Sequence, residues 1–297
     1  MATSVSNLTK YYIDSAFAAF KDMLAPVSAF ALATNPNGAQ LNDIVRVPFV
    51  NTNTASVAFA YSTGYATSGH TVIGKNVTLG TLSYQLIDLT DGDFQSPDTL
   101  TRLGSGAGAQ LASDVLAAVW LNVTQSNYSN RSTVSSSLYD TWSNVVALQT
   151  SANTSKWPQS GRSLIMGPTL YGNVLSNTTL IASSYGNPRP VQEGQLNSIV
   201  GFTPYAVTNL PVNNEILQGF ICNQNALLLA NAYHVPSDGN NYNTVQRISD
   251  PETGLVMGYR EWYDPKLCKM QRAFDVLYGT AIGDANALYR ITTRATV

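Results

Sequence analysis

The sequence predicts an α+β protein. Three observations carry that prediction: one long amphipathic helix, a set of extended segments ahead of it, and strand-like runs with a hairpin turn toward the C-terminus. The helix is read over Gly106–Gln125, GAGAQLASDVLAAVWLNVTQ. Leu111, Val115, Val119 and Val123 recur every four residues, and Gly108, Ala112, Leu116 and Trp120 form a second stripe beside them. Together they make a broad apolar face, with Gln110, Ser113, Asp114 and Thr124 away from it. At 1.5 Å per residue such a helix spans roughly 30 Å, the width of a domain.

The chain opens on a segment read as an arm, with a short helix over Tyr11–Leu24 and a turn at Asn35-Pro36-Asn37-Gly38. From Ile44 the pattern turns β-rich: Val45–Val50, Ala55–Tyr61, Thr71–Leu79 and Thr81–Leu89, with a Gly- and Ser-rich tip near Tyr65–His70. This reads as a long two-stranded excursion, polar on both faces. A lone hairpin is marginal in water, so the excursion needs a partner surface. After the long helix come a second helix (Ser135–Thr150), a short buried strand within Gly161–Gly167, a helix at Thr169–Leu175 and a strand-like run at Ser198–Val207. Gly219–Val235 is apolar and open to either helix or strand. Thr244–Ser249 and Leu255–Trp262 read as strands joined by Asp250-Pro251-Glu252-Thr253-Gly254, which has hairpin-turn composition. The C-terminal segment reads as strand, turn and strand.

With 297 residues the chain has room for one large domain or two modest ones. Charged residues make up only 11%, against roughly 25% in typical soluble domains. Asn, Ser, Thr, Gln and Tyr replace them, giving a polar surface on which copies can pack without burying many ions. Net charge is −2, with no cluster of the 16 Lys and Arg. That argues against a dedicated nucleic-acid groove. No apolar run reaches the about 18 residues of a transmembrane helix. The opening residues lack the basic-then-apolar pattern of a secretory leader. The seven N-x-S/T sequons, one within the predicted helix, are accordingly discounted.

Chemistry is sparse. Cys222 and Cys268 make no metal pattern with the two histidines, His70 and His234. Asp88–Asp93 lacks the spacing of a calcium loop, and Gly104-Ser-Gly106-Ala-Gly108 lacks the ending of a phosphate loop and reads as a flexible entry to the helix. There is no G-x-S-x-G and no Cys/His dyad. No catalytic, cofactor or metal residue is assigned, and an enzyme is not expected.

The order of elements resembles the major capsid protein of tailed double-stranded DNA bacteriophages, with the HK97 fold. The resemblance rests on LAPVSAFAL (Leu24–Leu32), VRVPFV (Val45–Val50), the β excursion, the long helix, SGRSLIMGPTLYGNVL (Ser160–Leu175), SIVGFTPYAVTNLP (Ser198–Pro211), FDVLYG (Phe274–Gly279) and ALYRI (Ala287–Ile291). These are loose patterns whose order matters more than any single one. The resemblance implies an N-terminal arm (residues 1–42), an extended loop (43–95) and a peripheral domain with the spine helix (96–134). It then implies an axial domain (135–239), a return hairpin of the peripheral domain (240–270) and axial C-terminal strands (271–297). The spine helix would turn its polar face to the shell interior.

The implied function is structural: hexamers and pentamers closing into an icosahedral shell around packaged DNA, bound without sequence preference. Implied partners are a separate scaffolding protein, a portal and a decoration protein, with no membrane. The implied place is the virion capsid, assembled in the host cytoplasm. Arg46 and Lys75 in the extended loop, and Arg247, Asp250, Glu252 and Arg260 about the return hairpin, are candidate contacts between subunits. The other reading of the hairpin charges is solvated turn residues. Some relatives cross-link through a Lys–Asn isopeptide bond, but nothing marks a partner Asn or acid for Lys75. An encapsulin-like compartment shell shares the fold and stands as the alternative; a secreted β-rich binding or adhesion module is the alternative from another class.

Overall fold

The structure is a computed structural model. It describes residues 2–29, 31–50, 59, 61–62, 64, 72–89, 97–132, 139, 141–177, 196, 198–211, 215–236, 242–266 and 269–292. The expected strand over Ala55–Tyr61, the tip with His70, and Cys268 fall wholly or mainly outside the described residues. The chain divides into two compact units.

The first unit combines Met1–Val45, Val77–Asn122 and Leu228–Ala281. It holds helices α1 (Ala2–Met23) and α2 (Pro97–Trp120) and strands β1 (Ala31–Ala39), β4 (Thr81–Leu89), β8 (Leu227–His234), β9 (Thr244–Ser249), β10 (Val256–Asp264) and β11 (Lys269–Ile282). These strands form a six-stranded sheet in the order β1-β8-β11-β10-β9, with β4 also paired to β11. β1 runs parallel to β8, whereas β4, β10 and β9 pair antiparallel. Asn231 of β8 ties that strand to both β11 and β10. Its buried amide donates to Leu277 O at 3.3 Å and accepts from Val256 N at 2.7 Å, so both ends of the buried amide are satisfied.

Both helices belong to this unit's core. On one face of the sheet Tyr259 and Phe274 are directly paired. Tyr12 of α1 packs on both, at 6.3 and 4.9 Å between ring centroids. α2 buries both of its apolar stripes, including Leu111, Val115, Leu116, Val119 and Trp120. At Gly104 and Gly108 the backbone of α1 comes so close that a Cβ would collide with Tyr12 O or Ala16 O. Glycine in a helix interior costs about 1 kcal/mol relative to alanine. Here the missing side chains are the room into which α1 settles.

The second unit combines Arg46–Asn76, Val123–Leu227 and Ile282–Val297. Its four-stranded sheet has the order β12-β7-β5-β6, from β5 (Arg162–Met166), β6 (Thr203–Ala206), β7 (Leu217–Asn223) and β12 (Leu288–Thr292). β5 is central and buried throughout. Helices α3 (Trp142–Thr154) and α4 (Pro168–Leu175) share a core with it that includes Val145, Leu148, Trp157, Leu164, Met166, Leu170, Phe202 and Ile221. Pro168 opens α4 where its missing N–H removes no helical bond. Most of the two-stranded sheet of β2 (Ile44–Val50) and β3 (Val72–Thr78) also falls here.

Several sequence expectations change. α2 starts at Pro97, not Gly106, and ends at Trp120. The Gly104–Gly108 run, read as a flexible entry, is fully helical, and Gly104 and Gly108 give α1 its space. At the other end Asn122 Nδ2 donates to Ala118 O and Val119 O, closing the last turn. α1 is far longer than Tyr11–Leu24 and is a packed layer of the first unit, where the sequence suggested an arm. β4, expected in the excursion, is zipped to β11 from Thr81 to Leu89. The ambiguous Gly219–Val235 run is two strands, β7 and β8, and most of β8 belongs to the first unit. Most of β11 does as well, whereas the sequence placed residues 271–297 together. α3 begins at Trp142, and residues 133–138 and 140 lie outside the described set. Of the Ser198–Val207 run, only Thr203–Ala206 is strand, after a bridge between Ile199 and Phe202.

Candidate assembly contacts

The six charged residues singled out from the sequence occupy different environments. Arg260 is buried on β10. Its Nε and Nη2 grip both oxygens of Asp275 at 3.1 and 3.0 Å. Nη2 also donates to His234 Nδ1 at 2.7 Å and His234 O at 3.1 Å. The guanidinium stands 5.5 Å from the centre of the Tyr242 ring. Burial pushes the Asp275 carboxyl up and Arg260 opposes it. Burial, then the neighbouring guanidinium, holds the His234 imidazole below its usual range. Neutral His234 therefore suits its place as acceptor from Arg260. Such a two-toothed buried pair holds β10 to β11 within one subunit.

Asp250 caps the turn after β9. It accepts from Thr253 Oγ1 at 2.6 Å and Thr253 N at 3.2 Å, and pairs with Lys21 at 2.9 Å. The Thr253 hydroxyl and the Lys21 ammonium hold its carboxyl at about 2. Glu252 is exposed, 3.6 Å from the same Lys21 Nζ. Lys21 sits in the last turn of α1, where a cation also complements the helix dipole. Sequence reading missed Lys21: more than 200 residues separate it from Asp250, and no local pattern links them.

Lys75, on β3, donates to Ile282 O and Gly283 O, both at 2.7 Å. Arg46 is exposed on β2, its guanidinium filling the space a side chain at Gly74 would take. Arg247 is exposed on β9, in register with Gly258. Thus Lys75, Asp250 and Arg260 are engaged within their own unit, while Arg46, Arg247 and Glu252 stand at the surface.

An apolar surface went unnoticed in the sequence. On β4, Tyr84 and Leu86 are 65% and 43% exposed. Their register partners are Asp275 and Ala273, so they share the sheet face that carries Arg260 and Trp262, opposite the helices. Tyr242 meets Trp262 edge-on at 5.7 Å on this side. Tyr, Trp and Arg on one face are the residue types that dominate protein interfaces. Among the described residues no group of His, Cys, Asp and Glu could hold a metal ion, and no helix is long and apolar enough to cross a membrane.

Comparison with protein-family models and with curated protein sequences gave no match. Solved structures do match. The capsid of a native GTA particle aligns with a TM-score of 0.57 at 11% identity, over 92% of this chain and 91% of that one. The chain has the HK97-like α+β fold of capsid proteins. The capsid of cyanophage P-SCSP1u aligns at 0.55 and 12% identity, over 90% and 87% of the two chains. A virus-like particle from Pyrococcus furiosus aligns at 0.51 and 13% identity, over 94% and 99%.

Proposed function

We propose that the protein is the shell-forming subunit of an icosahedral phage capsid enclosing double-stranded DNA. The observation that carries this reading is the alignment to the GTA particle capsid over more than nine-tenths of both chains. In this reading the first unit is the peripheral domain with α2 as its spine and its polar side toward the shell interior. The second unit supplies the axial domain, and the β2–β3 excursion is the extended loop. Hexamers and pentamers are its assembly forms. A separate scaffolding protein, a portal and a decoration protein are its partners, and the virion is its place. Its role is structural rather than enzymatic.

Arg46, Arg247 and Glu252 are proposed as contacts between subunits, since they stand at the surface. The Tyr84–Leu86–Trp262 face is proposed to be covered by a neighbouring copy, because apolar area of this kind gains about 25 cal/mol per Å² when removed from water. The low charge of the chain, 11%, keeps the desolvation cost of such contacts small. Expression followed by negative-stain and cryo-electron microscopy is expected to show rings or closed particles. Monodisperse monomers under every assembly condition would sink the reading.

A second reading is favoured by the alignment over 99% of the Pyrococcus furiosus virus-like particle chain. In it the shell is a compartment around a protein cargo. Nuclease-protected DNA in native particles supports the capsid; a co-purifying enclosed protein in place of DNA supports the compartment.

A further inference from the structure

We propose that Lys75 is a latch that sets the direction in which the β2–β3 hairpin leaves its unit. Its ammonium donates to two consecutive backbone carbonyls, Ile282 O and Gly283 O, both at 2.7 Å. Those carbonyls belong to a stiff turn. Gly283 N donates to Ala226 O at 2.9 Å and Asp284 N to Asn225 O at 2.8 Å. A side chain at Gly283 would collide with Asn225 O, so the two turns lie in direct contact. Tyr128 Oη, buried, donates to Ala226 O at 2.5 Å from the other side. Asp284 fastens the next turn by accepting from Asn286 N at 2.9 Å.

The hairpin itself is a two-stranded sheet, which is marginal without outside support. One face of β3 is occupied at Gly74 by Arg46 from the adjoining strand. Lys75, the next residue, points to the opposite face, because side chains alternate along a strand. The latch therefore acts on the face opposite the one Arg46 covers at Gly74. It also acts near the base. β3 runs three residues beyond Lys75 to Val72, about 10 Å at about 3.3 Å per residue, so a pivot at Lys75 is carried outward along the strand. Lys75 is thus a positioning residue, and its ammonium is committed to carbonyls rather than offered to a cross-link.

The local part of the proposal stands on these bonds alone; its consequence for particle geometry rests on the shell-subunit reading. The test separates them. In unassembled subunits, Lys75→Met is expected to speed amide hydrogen exchange over residues 72–78 about tenfold or more, with little change in α2. Lys75→Arg, which keeps a cation able to donate to carbonyls, restores much of the protection. Equal exchange in wild type and Lys75→Met overturns the latch. Should Lys75→Met fail to fold, amine labelling of wild-type subunits decides: Lys75 is expected to react several-fold more slowly than exposed Lys156 and Lys266, and equal labelling overturns the proposal. If wild type assembles, Lys75→Met is expected to give particles of mixed diameter. Uniform wild-type particles from a variant with loosened exchange would leave the latch standing and overturn its role in setting particle geometry.

Discussion

The α1–α2 layer and the β2–β3 hairpin solve opposite problems. The layer is closed on itself: two helices meet backbone to backbone at Gly104 and Gly108, and both bury their apolar sides within their own unit. The hairpin is two strands with charged and polar residues, fastened near its base through Lys75. The first loses stability when disturbed. The second has little stability of its own to lose, so a disturbance there is felt in what it reaches. Under the proposed shell-subunit reading the two parts divide the work, one as a rigid body and one as a segment whose burial another copy completes.

That contrast can be broken most severely in the rigid body. Replacing Asp275 by Ala strips the buried Arg260 of its bidentate partner. The expected cost is about 3–5 kcal/mol, since an unpaired charge is left inside. Denaturant unfolding of soluble subunits measures it. The double variant Arg260→Met, Asp275→Leu is expected to recover much of that loss, because it leaves neither charge behind. Next comes Gly108→Val. Its side chain would meet Ala16 O directly, so α1 must shift along with Tyr12 and the Phe274 contact. Overpacking of this kind costs about 1–3 kcal/mol, and near-UV circular dichroism should report the displaced aromatics. A variant as stable as wild type with an unchanged aromatic signal would show that α1 is not seated as described.

A smaller effect is expected at the α1 terminus. The Asp250 carboxyl is held at about 2 in the folded protein, against about 3.9 for a free aspartate. A depressed carboxyl stabilises the fold in full above the unfolded value and loses that contribution as pH falls through the folded one. The stability difference between wild type and Asp250→Asn should therefore be constant above about pH 5 and shrink between about pH 4 and pH 2. Lys21→Met should reduce the same difference by removing one of the groups that hold the carboxylate. A gap that stays constant down to the acid limit contradicts the Thr253 and Lys21 contacts.

The same contrast governs what was legible beforehand. The apolar stripes of α2 were plain because each residue reports its own burial at helical spacing. The sequence puts the α2 start at Gly106, with the Gly104–Gly108 run read as a flexible entry, because glycine has low helix propensity; only α1 explains why Gly104 and Gly108 are wanted. β4 and β11 could not be matched from sequence, since pairing residues Thr81 and Tyr278 are far apart in the chain. For the charged residues, sequence supplied the identity but not the environment. Arg260 and Glu252 looked alike beside one turn, yet one is buried on Asp275 and the other is exposed. Order along the chain nevertheless carried the fold class, because a long helix between two β-rich regions restricts the architectures available.

The hairpin is where the smallest effect on folding should accompany the largest on assembly. Deleting residues 55–75 removes much of the excursion, including Lys75, and leaves β4, α2 and the whole six-stranded sheet untouched. Subunit stability is expected to change by less than about 1 kcal/mol, because no described side chain it removes is in the buried core. Particles should nonetheless disappear, leaving soluble rings or monomers on size-exclusion chromatography and in electron micrographs. The expectation follows from the proposed reading, in which another copy supplies the surface that a lone hairpin lacks. Normal particles from the deletion would mean that the excursion is only decoration on a shell closed by the rigid units alone. An unfolded deletion product would mean that the hairpin supports its own subunit, and the division between body and projection would have to be redrawn at Lys75.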